Sequence, residues 1–284
     1  MLKVSYYPGC SLHGTAKEYD QSVKAVCSAL GIELKELEDW SCCGATAAHS
    51  TNFKLSVALP ARNLSSIEGG EEKTVMVPCA ACFNRFKSAQ HHLAHDEKLR
   101  AEISRIIGRP YTGIAVVKHP IEILHEDIGI EALQKRVVKK LTGLKPVSYY
   151  GCLLVRPPEV CQFEDYENPY MLDNILGALG AEVKKWSFKT DCCGGSLTIS
   201  RTDIVNKLVD RLMSMAREAG ANCIVTACPV CLANLDTRAS DHLKLPIFYF
   251  TELIAFAFGV PGASEWFKMH MVDPTPLMDG LGLM

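Results

Sequence analysis

The sequence contains an internal duplication, and this constrains the fold more than any other feature. Four segments of the first half recur in the same order in the second half. They are residues 3–10 and 145–152 (KVSYYPGC and KPVSYYGC), 29–45 and 178–195 (each with CCG), 74–86 and 223–235 (each with C-x-x-C), and 116–130 and 247–260. The last pair aligns Glu122 with Glu252. Each unit is as long as an ordinary domain, so the chain is predicted to hold two homologous domains, residues 1–144 and 145–284.

Within each unit, short apolar segments alternate with longer amphipathic ones. The segments KVSYY, IELKEL, TVMVP and GIAVV are predicted to be strands. In residues 201–220, apolar Ile204, Leu208, Leu212 and Met215 recur at helical spacing, and Gly220 can end the helix. Alternating strands and helices predict an α/β fold in which each domain has a small parallel sheet flanked by helices.

Ten of the 13 cysteines occupy corresponding positions in the two units. They are Cys10, Cys42, Cys43, Cys79 and Cys82 in the first unit, and Cys152, Cys192, Cys193, Cys228 and Cys231 in the second. In both units, cysteines directly follow predicted strands, and the carboxyl ends of parallel strands are where such sheets place their functional sites. The other three, Cys27, Cys161 and Cys223, have no counterpart and are interpreted as ordinary buried or surface thiols.

Charge and composition indicate the setting of these thiols. The formal net charge of −2 gives no reason to expect nucleic acid or an anionic membrane as a partner. No secretory signal is recognisable at the start, and the strongest apolar segment, residues 245–260, is interrupted by Glu252 and too short to span a bilayer. A cytoplasmic location is therefore expected. In a reducing compartment, clustered cysteines are more often metal ligands or redox groups than disulfides.

Three interpretations of the repeated thiols remain open. They can be small buried apolar residues. They can hold zinc in at least one half, although zinc takes four ligands and each unit supplies five thiols, two of them adjacent and therefore divergent. Iron–sulfur clusters fit better, because adjacent thiolates can reach different irons of one extended cluster. Gly44 and Gly194 would let the backbone turn tightly against such a cluster, and Pro78 and Pro229 would stiffen the C-x-x-C loops.

Both cysteine patterns resemble the motif of the CCG-domain family, and the whole chain, including YYPGCSLHGTAKEYD, resembles the B subunits of heterodisulfide reductases. The resemblance implies two domains related by approximate two-fold symmetry, each binding a noncubane [4Fe-4S] cluster. The first cluster would be held by Cys10, Cys42, Cys43, Cys79 and Cys82. The second would be held by Cys152, Cys192, Cys193, Cys228 and Cys231.

The resemblance also implies a function in anaerobic metabolism such as methanogenesis, in which a disulfide pocket between the clusters is served by paired one-electron transfers. The family enzyme of methanogens reduces the mixed disulfide of coenzymes M and B.

The sequence has no ferredoxin-like cysteine run, dinucleotide motif or flavin site, so electrons must come from elsewhere. The resemblance suggests two further subunits, a ferredoxin-like one of the C type and a flavin-containing one of the A type, with a hydrogenase or formate dehydrogenase as a further donor. The alternative is an electron-transfer subunit of a lactate, glycolate or succinate-type dehydrogenase or quinone reductase.

A disulfide reductase also needs a proton donor. His13 follows Cys10 by three residues and is the candidate; the alternative is a hydrogen-bonded loop residue. Lys118 and His119 follow another predicted strand, and there a solvated loop is favoured. The methionine-rich tail, residues 265–284, either binds a partner or covers its own domain.

Overall fold

The computed structural model describes residues 2–45 and 48–284. Its strands are β1 (Leu2–Tyr6), β2 (Ile32–Glu36), β3 (Thr74–Met76), β4 (Val116–Lys118), β5 (Pro146–Tyr149), β6 (Cys223–Thr226) and β7 (Ile247–Tyr249). Its α-helices are α1 (Gly9–His13), α2 (Lys17–Ala29), α3 (Ala48–Thr51), α4 (Phe53–Gly69), α5 (Ala80–His95), α6 (Glu97–Ile107), α7 (Pro120–Glu122), α8 (Ile130–Arg136), α9 (Pro158–Cys161), α10 (Met171–Ala178), α11 (Thr202–Glu218), α12 (Pro229–Arg238), α13 (Phe250–Ala257) and α14 (Thr275–Gly280). A π-helical turn (Ile123–Ile128) and three 3₁₀ segments (Gly195–Leu197, Asp241–Leu243 and Ala263–Met269) complete the elements.

The first sheet confirms the predicted α/β class. Its strand order is β2-β1-β3-β4, and every neighbouring pair is parallel. Each of the four predicted strand segments of the first half overlaps one of these strands. Helices α2, α4 and α5 connect the strands and bury their apolar sides. Because β1 and β3 are parallel neighbours, their carboxyl ends lie at the same edge of the sheet.

The second sheet is smaller, with the parallel order β5-β6-β7. The segment that corresponds to β2 still runs beside β5, because the amides of Glu182 and Lys184 donate to the carbonyls of Leu144 and Pro146 at 2.9 and 2.8 Å. The next carbonyl along β5, that of Ser148, instead accepts from the indole N–H of Trp186 at 2.8 Å. The Trp186 side chain thus makes the hydrogen bond that a backbone N–H would make if the two segments continued to pair as strands.

Helix α11 confirms the predicted helix in residues 201–220, but its buried face differs from the predicted one. The buried residues are Val205, Val209, Leu212, Met213 and Ala216. Of the four residues predicted to form the apolar face, only Leu212 is fully buried. Helix α11 also packs against the CCG loop of the second half, where Val205 and Leu208 lie over Gly194.

The two halves pack together through α2 and α13. The rings of Tyr19 and Tyr249 stack with centroids 4.1 Å apart, and the hydroxyls of Ser22 and Thr251 are 2.6 Å apart. Part of the C-terminal segment also lies against the first half, since the indole of Trp266 donates to Gln21 at 2.8 Å. Among residues 2–45 and 48–284, no helix combines the length and apolar character needed to cross a bilayer.

Glu122 and Glu252, aligned by the duplication, play the same structural part in both halves. Each accepts a hydrogen bond from the backbone N–H three residues earlier, at His119 (2.6 Å) and Tyr249 (2.8 Å), and so caps the helix after the last strand. Their charge environments differ. Glu252 is paired with the imidazole of His270 at 3.0 Å, whereas burial raises the pKa of Glu122 to about 7.

We expect Glu122→Gln to stabilise the protein at high pH. The amide keeps an acceptor for the His119 N–H and removes the cost of burying a charge. A carboxyl whose pKa is raised on folding loses stability as pH rises from about 4.5 to about 7, so the gain should be absent below this window and reach about 1–3 kcal/mol above it. Denaturant unfolding on both sides of the window measures this. The matched control is Glu252→Gln, which removes the partner of His270 and should destabilise by about 1–3 kcal/mol. Equal effects of the two variants would contradict the assignment.

Candidate metal centres

Four of the matched cysteines follow the carboxyl ends of strands, as predicted: Cys10, Cys79, Cys152 and Cys228. Cys10 is in the short α1 that follows β1, and Cys79 directly precedes α5, which carries Cys82 in its first turn. In the second half, Cys228 directly precedes α12 and Cys231 lies in its first turn. The two C-x-x-C motifs are therefore held in the same way, each at the start of a helix that leaves the sheet edge.

In each half, the second cysteine of the CCG motif contacts the second cysteine of C-x-x-C. The sulfurs of Cys43 and Cys82 are 3.1 Å apart, and those of Cys193 and Cys231 are 3.6 Å apart. These are contacts of free thiols, since a disulfide needs a sulfur–sulfur distance of about 2.05 Å. Each half thus gathers thiols from loops that are remote in the sequence.

Burial divides each set into inner and outer thiols. The inner thiols are buried: Cys43, Cys79 and Cys82 in the first half, and Cys193, Cys228 and Cys231 in the second. The outer ones reach the surface, with Cys10, Cys42 and Cys192 exposed and Cys152 half-buried. Each site therefore has a buried base and an accessible rim.

The two sites meet at the interface between the halves. The thiols of Cys79 and Cys228 lie close enough to influence each other electrostatically. The carbonyls just before them, of Pro78 and Ala227, both accept hydrogen bonds from His119 Nε2, at 2.8 and 3.2 Å, and from the Tyr19 hydroxyl, at 3.3 and 3.1 Å. The spacing of the two inner cysteines is thus fixed by side chains of the first half.

Matching tyrosines and amides shape the CCG loops. The hydroxyl of Tyr7 donates to the carbonyl of Ser41 at 2.8 Å, and that of Tyr149 to the carbonyl of Asp191 at 2.6 Å. These carbonyls come directly before the adjacent cysteines. Buried Asn63 accepts from the Ser41 N–H at 2.9 Å and donates to its carbonyl at 2.9 Å, which fixes the first loop further.

Glycines permit the close approach of backbone and thiols. Gly44 and Gly194 have φ angles of +77° and +81°, as expected for the tight turn after each cysteine pair. Gly9 and Gly151 precede the first cysteine of each set at φ +69°, and a Cβ there would lie 3.2 Å from Cys82 Sγ and 2.9 Å from Cys231 Sγ. At these two positions, a larger residue would press on an inner thiol.

The local electrostatics favour a thiolate in each half. Hydrogen bonds from the thiols of Cys42 and Cys82 lower the pKa of Cys43 to about 4, with a smaller contribution from the guanidinium of Arg85. A hydrogen bond from the Cys152 thiol lowers the pKa of Cys192 to about 6. A readily deprotonated thiol among several others suits metal ligation, because the thiolate is the ligand.

The donor set of each half is compatible with an iron–sulfur cluster. Within the described ranges, no three Cys, His, Asp or Glu side chains surround a common point as ligands of one metal ion would. The thiols of a multi-iron cluster bind different irons and need not converge on one point. Five thiols around a glycine-lined loop, three buried and two at the surface, meet the requirements of such a cluster.

His13 and Lys118 are both ion-paired. His13 Nε2 is 3.1 Å from Glu36 Oε1, and its ring packs edge-on against Trp40 with centroids 5.1 Å apart. It is therefore a partly exposed imidazole held by a carboxylate, on the same short helix as Cys10. Lys118 pairs with Glu126 and Asp127 at 3.2 and 2.6 Å.

The favoured interpretation of His119 as a residue of a solvated loop was wrong. His119 is fully buried, because the loop after β4 is covered by the second half and its ring lies beside Phe250. Burial lowers the pKa of His119 to about 4, so the ring is neutral. Nδ1 accepts from the Ile121 N–H, which leaves the hydrogen on Nε2 for the two carbonyls.

Sequence reasoning also missed Glu36, Arg85 and Asn234. Glu36 ends β2 and is brought to His13 only by sheet pairing. Arg85 and Asn234 each come three residues after the second cysteine of a C-x-x-C motif, so the duplication itself could have shown that this position differs between the halves.

Comparison with known proteins agrees with the duplication. The model of the CCG cysteine-rich domain matches residues 4–87 and again residues 147–236. The 8-methylmenaquinol:fumarate reductase membrane anchor subunit of Wolinella succinogenes is 29% identical, over 96% of this chain and 98% of that protein. A protein of Archaeoglobus profundus, named as similar to the B subunit of heterodisulfide reductase, is 30% identical over 91% of each chain.

One solved structure shares the fold. A hypothetical protein from Helicobacter pylori superposes with a TM-score of 0.74 over 95% of this chain at 9% sequence identity. The match spans 51% of the length of that protein. At this identity the likeness shows the fold alone.

The glycine before Cys152 gives a direct test of the site. We expect Gly151→Ala to lower the iron content, because its Cβ would lie 2.9 Å from Cys231 Sγ. The matched control is Gly108→Ala, which carries the same strain at φ +68° but has no atom within 4 Å of the added Cβ. Both variants should lose about 1 kcal/mol or more from the left-handed backbone alone. Iron analysis after anaerobic purification separates the effects, and equal iron in the two variants would show that Gly151 does not border a metal site.

Proposed function

The chain belongs to the CCG cysteine-rich domain family and is related to the B subunits of heterodisulfide reductases, and from this we propose that it is the catalytic iron–sulfur subunit of a disulfide-reducing complex. Two [4Fe-4S] clusters of the noncubane type would be bound. One would be held by Cys10, Cys42, Cys43, Cys79 and Cys82, and the other by Cys152, Cys192, Cys193, Cys228 and Cys231.

The observation that carries the proposal is the proximity of Cys79 and Cys228, whose preceding carbonyls accept hydrogen bonds from the same two side chains. Reduction of a disulfide breaks one sulfur–sulfur bond, consumes two electrons and two protons, and releases two thiols. When bound, the clusters would supply the electrons, one to each sulfur. Two thiol sites that touch at the interface suit this chemistry, because both sulfurs of one substrate can be served together.

The side chains at the interface have a positioning part in this proposal. His119 and Tyr19 hold the backbone before Cys79 and Cys228, and Asn84 ties α5 to the second half by donating to the carbonyls of Leu153 and Arg156 at 3.1 and 2.8 Å. The two sites therefore keep a fixed separation. The accessible rim formed by Cys10, Cys42 and Cys192 is where substrate and electrons would arrive.

Electrons would be delivered by other subunits of a cytoplasmic complex. The proposed partners are a ferredoxin-like protein of the C type and a flavin-containing protein of the A type, with a hydrogenase or formate dehydrogenase as a further source. The names of the two relatives support a multi-subunit oxidoreductase in general, since both refer to subunits of reductases.

The proton for a released thiolate would come from His13. Its imidazole is partly exposed and paired with Glu36, and Glu36 also accepts from the indole N–H of Trp40 at 3.4 Å. A carboxylate behind an imidazole fixes the orientation of the ring. Glu36 is then a positioning residue and His13 the general acid.

One observation favours a second candidate function. The relative from Wolinella succinogenes is 29% identical over nearly the full length of both chains and is named for a fumarate reductase, not for a disulfide reductase. The alternative is therefore an electron-transfer subunit of a dehydrogenase or quinone reductase, in which the clusters pass electrons on without a disulfide.

Loss of either cluster separates the two functions. We expect about eight irons per chain in the wild type, and about four in Cys43→Ala and in Cys193→Ala, because each removes a ligand of one cluster. If both sites act on one disulfide, each variant should lose nearly all disulfide turnover. The double variant should be hardly worse, because parts that act as one unit are not additive.

The assay is steady-state reduction of candidate disulfides by an artificial one-electron donor. The control is Cys223→Ala, which removes a buried thiol in β6. Substantial turnover in either single-cluster variant would favour the electron relay.

The proposed acid is tested by His13→Gln and Glu36→Gln. We expect the first to lower disulfide turnover about 100-fold or more, as for loss of a general acid. Glu36→Gln should lower it less, because the amide can still accept a hydrogen bond from the ring. Iron content should be unchanged in both. His49→Gln, which alters a histidine on α3 of the same half, is the control and should behave as wild type. Full activity of His13→Gln would remove His13 from the mechanism.

A further inference from the structure

The two thiol sites differ at positions that the duplication makes equivalent. Arg85 follows Cys82 by three residues on α5, and Asn234 follows Cys231 by three residues on α12. Each is therefore about one helical turn beyond an inner cysteine. The partners of these cysteines also correspond, since Cys82 contacts Cys43 and Cys231 contacts Cys193.

In the first half, this position carries a permanent charge. The guanidinium of Arg85 is half-buried and donates to Asn84 Oδ1 at 2.6 Å. Asn84 is in turn held by the second half, so the guanidinium is fixed in place. It interacts electrostatically with the Cys43 thiolate. Among the described residues, no carboxylate forms an ion pair with Arg85, and its electrostatic partners are the thiols of Cys43 and, to a smaller extent, Cys161.

In the second half, the same position is neutral. Asn234 is buried, and its amide N–H group donates to the carbonyl of Cys193 at 3.1 Å and approaches Cys193 Sγ at 3.7 Å. Its Oδ1 accepts from the Thr198 hydroxyl at 2.8 Å. The contact to the matching cysteine is kept as a hydrogen bond, and the charge is lost.

A second pair of equivalent positions also makes the surroundings of the second site more negative than those of the first. Ser41 precedes the adjacent cysteines of the first half and Asp191 those of the second, and the matching hydrogen bonds of Tyr7 and Tyr149 confirm their equivalence. Asp191 directly precedes Cys192, so its carboxylate places a negative charge next to this site and opposes a thiolate there. The first site therefore has a cation where the second has an amide, and a hydroxyl where the second has an anion.

Other cations near the second site do not offset this difference. Lys189 is buried but paired with Asp173 at 3.0 Å, which cancels its charge locally. Arg156 donates to the Thr190 hydroxyl at 3.2 Å but is exposed, so solvent and salt screen it. A half-buried charge such as Arg85 is screened much less.

We propose that Arg85 and Asp191 make the two sites electrically unequal, so that an iron–sulfur cluster in the first half takes up its electron more readily than one in the second. The inference rests on the proposed function, because it requires a cluster in each half. Reduction adds one negative charge to a cluster, and nearby positive charge stabilises the product while nearby negative charge destabilises it. The cluster of the first half, where His13 and Glu36 also lie, would then be reduced before the cluster of the second half.

The test is a potentiometric titration of the holoprotein, followed by electron paramagnetic resonance. The wild type should show two one-electron transitions at separate potentials. Arg85→Gln should lower the higher one, and Asp191→Ser, which copies the residue of the first half, should raise the lower one. At a fixed solution potential, each change should alter the reduced-to-oxidised ratio of its cluster about tenfold, which is about 59 mV for a one-electron couple. The gap should narrow in both variants and be smallest in the double variant.

Two controls test the role of charge. Arg85→Lys keeps the charge and should keep most of the gap, and Lys98→Gln removes an exposed charge on α6 and should leave the gap unchanged. If Arg85→Gln fails to retain iron, Asp191→Ser and Arg85→Lys still decide the matter. An unchanged or widened gap in Asp191→Ser, or two clusters of equal potential in the wild type, would overturn the inference and leave the proposed function standing. A wild-type protein without iron would overturn both.

Discussion

Two backbone carbonyls, those of Pro78 and Ala227, accept hydrogen bonds from the same two side chains, and the relation between the two sites depends on this arrangement. Each carbonyl directly precedes an inner cysteine. The two donors, His119 and Tyr19, are buried and lie between the halves. Because burial lowers the pKa of His119 to about 4, the imidazole stays neutral with its hydrogen on Nε2. The distance between Cys79 and Cys228 is therefore set by hydrogen bonds that do not change near neutral pH.

The duplication preserved the loops that carry thiols and relaxed the sheet that supports them. The capping glutamates, the tyrosines that bind the CCG loops and the left-handed glycines occur in both halves. The edge strand β2 has no regular counterpart, because Trp186 takes a carbonyl of β5 that a continued ladder would need. An edge strand contributes hydrogen bonds on one side only, so its loss leaves the carboxyl ends of β5 and β6 in place.

Much of the fold and of the thiol sites could be predicted from the sequence, because these features depend on the local order of apolar residues, polar residues and cysteines. Strands of the first half follow from short apolar segments, and the placement of Cys10 and Cys79 follows from the geometry of parallel sheets. The burial of His119 could not be predicted, because it depends on how the second half covers the loop after β4. The partnership of His13 with Glu36 is likewise a product of sheet pairing between residues far apart in the sequence. The buried face of α11 could not be predicted, because both sides of this helix carry apolar residues and the choice between them depends on tertiary packing.

A newly duplicated site has two equal halves, and clusters bound in equal halves would take up electrons at the same potential. Unequal potentials require changes that alter charge without moving the ligands. Arg85 and Asn234 meet this condition, since both lie three residues beyond the C-x-x-C motif on corresponding helices. Ser41 and Asp191 meet it as well, because the tyrosine hydroxyls bind their backbone carbonyls and leave their side chains free to differ. The fold thus allows the two sites to diverge in charge while the hydrogen bonds through His119 and Tyr19 keep them together.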